Sequence, residues 1–159
     1  MDLSAHQLWS DYVARYRAMA IATADRAGNV SCATVFYAID HAGRLYFGCS
    51  GATLKARHLI ENPRIGVAIS DGGATLAGVQ IRGLAVLLTG AAEVDDARRC
   101  LAARHPDVAA FYSEADLLFF RVEPEERFLL NFAWGIDSRL RVPSRAPDEI
   151  PPPPPCESD

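Results

Sequence analysis

The sequence predicts one mainly β domain, an antiparallel sheet of about six strands with helices at its periphery. Short apolar runs of strand length recur between clusters of Gly, Asp, Asn and Pro, the pattern of successive hairpins. Helical periodicity is sparse and does not separate each strand from the next, which argues against a parallel α/β sheet. A chain of 159 residues with 50% hydrophobic content suffices for one core and is too short for two. Closing such a sheet into a small barrel would remove its exposed edges.

Leu8, Trp9, Tyr12, Val13 and Tyr16 repeat at helical spacing among Ser10, Asp11 and Arg15, so the chain opens on an amphipathic helix. Met19 to Ala24 is a short apolar run ended by the turn cluster Asp25-Arg26-Ala27-Gly28-Asn29, and Val30 to Ile39 resumes as strand. A second turn at Asp40-His41-Ala42-Gly43 leads into Leu45 to Cys49. A short helix follows, with Thr53 suited to its N-cap and Asn62-Pro63 as its stop. Arg57 and Glu61 stand one helical turn apart and predict a solvent ion pair.

Ile65 to Ile69, bounded by Pro63 and by Asp71-Gly72-Gly73, reads as a strand buried on both faces. Val79 to Thr89 is the longest strand candidate, and Gly83 marks a bulge or bend within it. Asp95 and Asp96 open a helix that carries Arg98, Arg99 and Arg104 and stops at His105-Pro106, an order complementing the helix dipole. A further helical piece covers Asp107 to Tyr112, and two strands, Leu117 to Val122 and Arg127 to Phe132, flank Glu123-Pro124-Glu125-Glu126. The folded domain is thus expected over residues 1–142, and residues 143–159, with five consecutive prolines, read as a disordered proline-rich tail.

A net charge of −4 gives no footprint for nucleic acid or an anionic membrane. No stretch has the length and apolarity of a membrane span, and the N-terminus has no basic region followed by an apolar run, so a cytoplasmic location is expected. Cys32, Cys49, Cys100 and Cys156 form no CxxC and have no histidine at metal-site spacing, so no metal centre is expected. If the strands around Ala42-Gly43 pair as a hairpin, Cys49 faces Val35 or Phe36 and stands about 10 Å from Cys32, beyond disulfide reach. Free thiols are the expectation.

Chemistry concentrates between Ser50 and Lys55. Lys55 falls in the first turn of its helix, where unpaired N–H groups and the dipole disfavour a cation unless an anion joins it. Ser50 and Thr53 offer hydroxyls, Gly51 allows close backbone approach, and a phosphate fits physically; a solvated surface lysine is the plainer alternative. His58 shares the Lys55 face and reads first as a packed histidine.

The string LYFGCSGATLKARHLIENPRIGVAI resembles the strand, loop, helix, Asn-Pro, strand element of the pyridoxamine 5′-phosphate oxidase-like, FMN-binding split-barrel superfamily. SCATVFY at Ser31 to Tyr37 and GVQIRG at Gly78 to Gly83 resemble its YhbP-type branch. The resemblance implies a six-stranded antiparallel split β-barrel and a homodimer with FMN across its interface. By position it makes Lys55 the phosphate contact with Ser50 and Thr53 beside it. Ala33, Thr34, Val35 and Phe36 would lie along the ring, with Gln80 at its polar edge. Asn131, Phe132 and Trp134 would close over a neighbouring subunit's site, or serve in dimer packing. Arginines of the oxidases proper fall here at Cys32 and Leu54, their substrate-binding lysine at Tyr37, and their C-terminal Trp and Arg motif has no match. Pyridoxine-phosphate oxidation is therefore not expected.

The leading functional reading is a homodimeric FMN-binding flavoprotein, a small oxidoreductase of unassigned substrate whose hydride chemistry belongs to the cofactor. No catalytic residue is assigned. The alternative is a non-catalytic cofactor-binding or sensor protein holding haem or a deazaflavin, with Cys32, Cys49 and His58 as candidate axial ligands. A structural dimer with an inactive cofactor site follows from the missing arginines.

Overall fold

The computed structural model describes residues 4–70, 77–134 and 139–143. Helix α1 spans Ala5–Arg15, with the Ser4 hydroxyl accepting from the Gln7 N–H as N-cap. Strands β1 (Ala18–Ala24), β2 (Val30–Phe36), β3 (Ala38–Ile39) and β4 (Leu45–Ser50) precede helix α2 (Leu54–Glu61). Strands β5 (Arg64–Ser70) and β6 (Gly78–Leu87), helix α3 (Ala91–Arg104) and a 3₁₀ segment (Pro106–Ser113) follow. Strand β7 (Leu117–Leu130), a 3₁₀ turn (Phe132–Trp134) and β8 (Arg139–Arg141) complete the described chain.

All eight strands join one antiparallel sheet in the order β2-β1-β5-β6-β7-β4-β3, with β8 paired to β7. Its two edges, β2 and β3, are adjacent in the chain and separated only by Tyr37. One extended run therefore belongs to both ends of the sheet, which must curl into a half-barrel to let it. Tyr37 fixes the corner: its ring is fully buried, its hydroxyl donates to the Val13 carbonyl at 2.6 Å, and its N–H donates to Arg17 O at 3.3 Å.

The eight strands among the described residues correct the expected six. Tyr37 divides the predicted strand Val30 to Ile39, and β8 was not anticipated. The two predicted terminal strands are one, β7, that runs through Pro124. Proline is tolerated because the ladder is broken there: Gly83 pairs with Pro124 and the register shifts between Arg82 and Gly83. A Cβ at Gly83 would collide with the Glu123 carbonyl oxygen, so the bulge inferred from that glycine is present and only glycine fits it. Helix α3 begins at Ala91, four residues before Asp95, with Gly90 at its N-cap.

Alternating inward residues build the barrel interior: Met19 and Ile21 of β1, Phe47 and Cys49 of β4, Val67 of β5 and Ile81 of β6, closed by Trp9 and Val13 of α1. A second core lies outside the barrel wall, where Tyr46 and Phe119 meet Ala97 and Leu101 of α3 and Tyr112. Strand β4 feeds both cores from its two faces, as a period of two requires.

Two local expectations change. Strand β4 pairs with β7 and only briefly with β3, so Cys49 stands opposite Leu118 and Cys32 opposite Ala22. Free thiols at Cys32, Cys49 and Cys100 stand all the same. Glu61 accepts from the Arg26 N–H at 3.1 Å, and no Arg57–Glu61 ion pair forms among the described residues. The Asp71 turn and, from residue 144 onward, the predicted tail lie outside the described residues. No described helix is long and apolar enough to cross a membrane.

Candidate functional site

The expected site residues fall into two groups. The first gathers where β4 ends and α2 begins. Thr53 caps α2: its hydroxyl accepts from the Ala56 N–H at 3.4 Å and donates to Ser50 O at 2.8 Å. Ser50 donates its hydroxyl to Asp116 Oδ2 at 2.7 Å. Both hydroxyls proposed for a phosphate therefore already have partners, Thr53 within the loop and Ser50 on a carboxylate from a distant part of the chain.

Lys55 is half-buried in the first turn of α2. None of the ion pairs among the described residues involves it. It lies close enough to buried Cys49 to oppose, together with the Thr53 bond, the burial that pushes that thiol's pKa up. Leu54, at the position of a family arginine, is 48% exposed. The donor set thus fits a phosphate with one ammonium and the N–H groups of the helix start, a weaker cradle than one with added arginines.

The second group lies on the outer face of the sheet. Strand register aligns Thr34, Ala20, Ala68, Gln80 and Phe128 in one row across β2, β1, β5, β6 and β7. The neighbouring row is Cys32, Ala22, Gly66 and Arg82. Ala20, Ala22 and Ala68 are exposed, and nothing longer than a methyl group rises from the middle of this face. Three strand spacings, about 14 Å, separate Thr34 from Gln80, so a fused planar ring system can lie flat between them. Thr34 and Phe36 project outward, whereas Val35 is buried in the barrel core and Ala33 packs against it. Any ring contact from Ala33 and Val35 is therefore a backbone contact. Gln80 is half-buried on the face, and Trp134 ends the 3₁₀ turn after β7.

Helix α2 links the two groups by packing on β1 and β2. Its Ala56 and Leu59 enter the barrel core, and His58 Nδ1 lies 3.1 Å from the Thr23 hydroxyl, both residues being buried. His58 is a packing residue, as expected, and neither it nor buried Cys49 is open to a cofactor. Cys32 alone of the three candidate axial ligands is exposed. Tyr37, aligned with the oxidases' substrate lysine, is fully enclosed, and burial raises its pKa to about 12.

Sequence reasoning missed Asp116 and His105. The first meets Ser50 across 66 residues of chain and belongs to no recognisable motif. The second was read as a helix stop, yet its ring lies tilted against Phe36 with centroids 4.9 Å apart. A separate cavity of about 260 Å³ between α1 and the Asp40–Gly43 turn is lined by His6, Trp9, His41 and Arg127 among others, and none of the expected site residues borders it. Asp40 there is fully engaged, with bonds from Ala42 N, Arg44 N, Arg44 Nε and the Tyr46 hydroxyl. No group of three or more metal-ligating side chains occurs among the described residues.

Residues 6–131 match the family model described as pyridoxamine 5′-phosphate oxidase. Among solved structures the chain is similar to a protein of unknown function from Agrobacterium tumefaciens, at 27% identity and TM-score 0.73, over 79% of this chain and 56% of that one. It is also similar to a haem-binding protein from Mycobacterium smegmatis, at 18% identity and TM-score 0.76, over 89% of this chain and 59% of that one. The chain thus spans little more than half the length of these two. A third likeness is to an FAD-binding protein from Mesorhizobium loti, at 21% identity and TM-score 0.63, over 79% of this chain and 92% of that one. No curated protein matches the chain significantly in sequence.

Proposed function

Because the chain belongs to the pyridoxamine 5′-phosphate oxidase family, we propose that it is a flavin-binding split-barrel protein that takes FMN between two copies of itself. Lys55 carries this reading: a half-buried ammonium at a helix start, outside every described ion pair, is poorly placed until an anion reaches it. Lys55 and the first N–H groups of α2 would hold the phosphate, the backbone from Ala33 to Phe36 would border the ring, and Gln80 would meet its polar edge. The flat Ala and Gly face excludes nothing planar. When bound, FMN supplies hydride or electron transfer, and the protein orients and shields it.

The second copy is assigned to the β2 side of the sheet. There β2 is an edge strand with Val30 83% and Phe36 38% exposed, an arrangement that folded proteins usually cover. Trp134 of the neighbouring copy would close the site. Sedimentation should then give a dimer, and a monomer at micromolar concentration would reject this placement.

Titrating the apo protein with FMN and following flavin fluorescence tests the cofactor. Quenching with one FMN per subunit is expected, and no quenching at micromolar protein overturns the reading. Lys55→Ala should weaken FMN by roughly 10- to 100-fold, the worth of one charge-assisted bond. An unchanged Kd would move the phosphate elsewhere.

A haem reading has one specific support beyond the haem-binding neighbour: the exposed thiol of Cys32 in the second row of the face. Hemin titration should then give a Soret band that Cys32→Ala abolishes. Deazaflavin would occupy the same face as FMN and is separated from it by the same binding screen.

A further inference from the structure

The corner at Phe36 and Tyr37, where the chain leaves one edge of the sheet for the other, is held by a histidine outside the proposed cofactor site. His105 stands between α3 and the 3₁₀ segment and is fully buried. Its Nε2 lies 2.7 Å from the Tyr37 carbonyl oxygen, which can only accept, so Nε2 carries the proton. Its Nδ1 is buried with no hydrogen-bond partner among the described residues.

We propose that His105 is a positioning residue whose neutral form latches the Phe36–Tyr37 corner and whose protonation releases it. The neutral ring holds the corner by donating to Tyr37 O and packing tilted against Phe36. A proton added at Nδ1 would create a buried cation with an N–H that finds no acceptor. The charges around it come from every packed element. Arg104 of α3 sits over the Tyr37 ring and donates to Val13 O, Ala14 O and Tyr16 O. Arg17, before β1, lies over the Phe36 ring at 5.6 Å and pairs with Asp107 of the 3₁₀ segment at 2.5 Å. Tyr37 and Tyr112 are also near and stay neutral at ordinary pH, since burial raises both.

Two cations thus oppose protonation and one carboxylate, itself shared with Arg17, favours it. Burial, the largest effect, pushes the His105 pKa below its usual value, and Arg17 and Arg104 add to it against Tyr37 and Asp107. The contribution of a histidine with a depressed folded pKa is complete above the unfolded value near 6.5 and is lost as pH falls from there through the folded value. The neutral form is the folded form, and acid favours opening.

The consequence for function rests on the FMN reading, because Phe36 belongs to the segment assigned to the ring. If the corner loosens, that border of the site loosens with it, and cofactor affinity becomes pH-sensitive without any titrating group touching the cofactor.

The latch itself is tested without cofactor. Amide signals of Phe36 and Tyr37 in ¹⁵N-labelled apo protein, followed from about pH 8 to about pH 5, should shift or broaden on the acid side of about pH 6.5. In His105→Gln they should stay fixed, because that side-chain amide can donate to Tyr37 O but takes no proton. Signals that are flat in wild type, or that move equally in the variant, overturn the proposal. Asp107→Asn, on the surface, gives a check that does not disturb the core: losing the one favouring carboxylate should move the transition to lower pH, and an unmoved midpoint overturns the proposal. FMN titrations over the same range should weaken by about tenfold in wild type and not in His105→Gln. Equal weakening in both overturns the coupling to the site. Absence of FMN binding at every pH would reject the flavin reading alone, and the amide titration would still decide the latch.

Discussion

Asp116 bears most directly on whether a phosphate can occupy the α2 loop. Its carboxylate takes the Ser50 hydroxyl at 2.7 Å and places a negative charge beside the group that an anion would need. Asp116→Asn should therefore strengthen FMN binding several-fold at low salt, with a smaller gain at high salt, because the repulsion removed lies at an exposed, screened position. Unchanged affinity would show that the phosphate does not reach Ser50. Lys55, Ser50 and Thr53 were legible in the sequence because helix starts have a recognisable grammar. Asp116 was not, since no local rule links it to Ser50. The Thr23–His58 pair shows the same limit: each residue reads as ordinary alone, and together they form a buried polar contact between β1 and α2. Thr23→Val keeps the shape and leaves His58 Nδ1 unpaired, so thermal unfolding should report a loss of about 1–3 kcal/mol.

At the scale of elements, strands and helices were predictable where composition punctuates them, as at Asp25–Asn29 and Asp40–Gly43. Both turns hold a glycine at positive φ, 86° at Gly28 and 74° at Gly43. Prediction failed where tertiary pairing overrode punctuation. Glu123-Pro124-Glu125-Glu126 reads as a turn, yet the segment stays in β7 because Gly83 opposite it admits the bulge. The proline and the glycine are one device, so Gly83→Ala should break it. The added Cβ meets backbone rather than a side chain that can turn aside, and a destabilisation of about 1–3 kcal/mol or more is expected by chemical denaturation. Pro124→Ala, by contrast, should cost little, since the ladder bond at that point is already absent. Equal losses for the two variants would show that the glycine's space is not what sets the register.

The whole molecule is shaped by the decision of one run, residues 30–39, to belong to both sheet edges. Its alternation was visible in the sequence, but the switch at Tyr37 was not, because a buried tyrosine in a strand looks like any other core residue. The Val13 carbonyl under its hydroxyl, the Arg17 carbonyl on its N–H and His105 on its carbonyl explain why the chain turns there. That arrangement also shapes the pH dependence of the fold. Burial lifts Tyr37 and Tyr46 to about 12, with Asp40 adding to the effect at Tyr46 and Arg104 opposing it at Tyr37. For a tyrosine with a raised folded pKa the neutral form is the folded form. Its contribution is complete below the unfolded value of about 10 and is lost as pH rises from there through about 12. On the acid side the sign reverses: His105, and the exposed carboxylates of Asp25 and Asp107 held low by Asn29 and Arg17, all make stability rise with pH. Burial raises the Cys49 thiol as well, so melting temperature should form a plateau between about pH 7 and about pH 8.5 and fall on both flanks. Tyr37→Phe removes one of these buried groups and should flatten the alkaline flank while lowering the plateau, since Val13 O loses its closer donor and is left to Arg104 at 3.3 Å. An alkaline flank of unchanged slope in that variant would mean that the corner tyrosine does not titrate with unfolding.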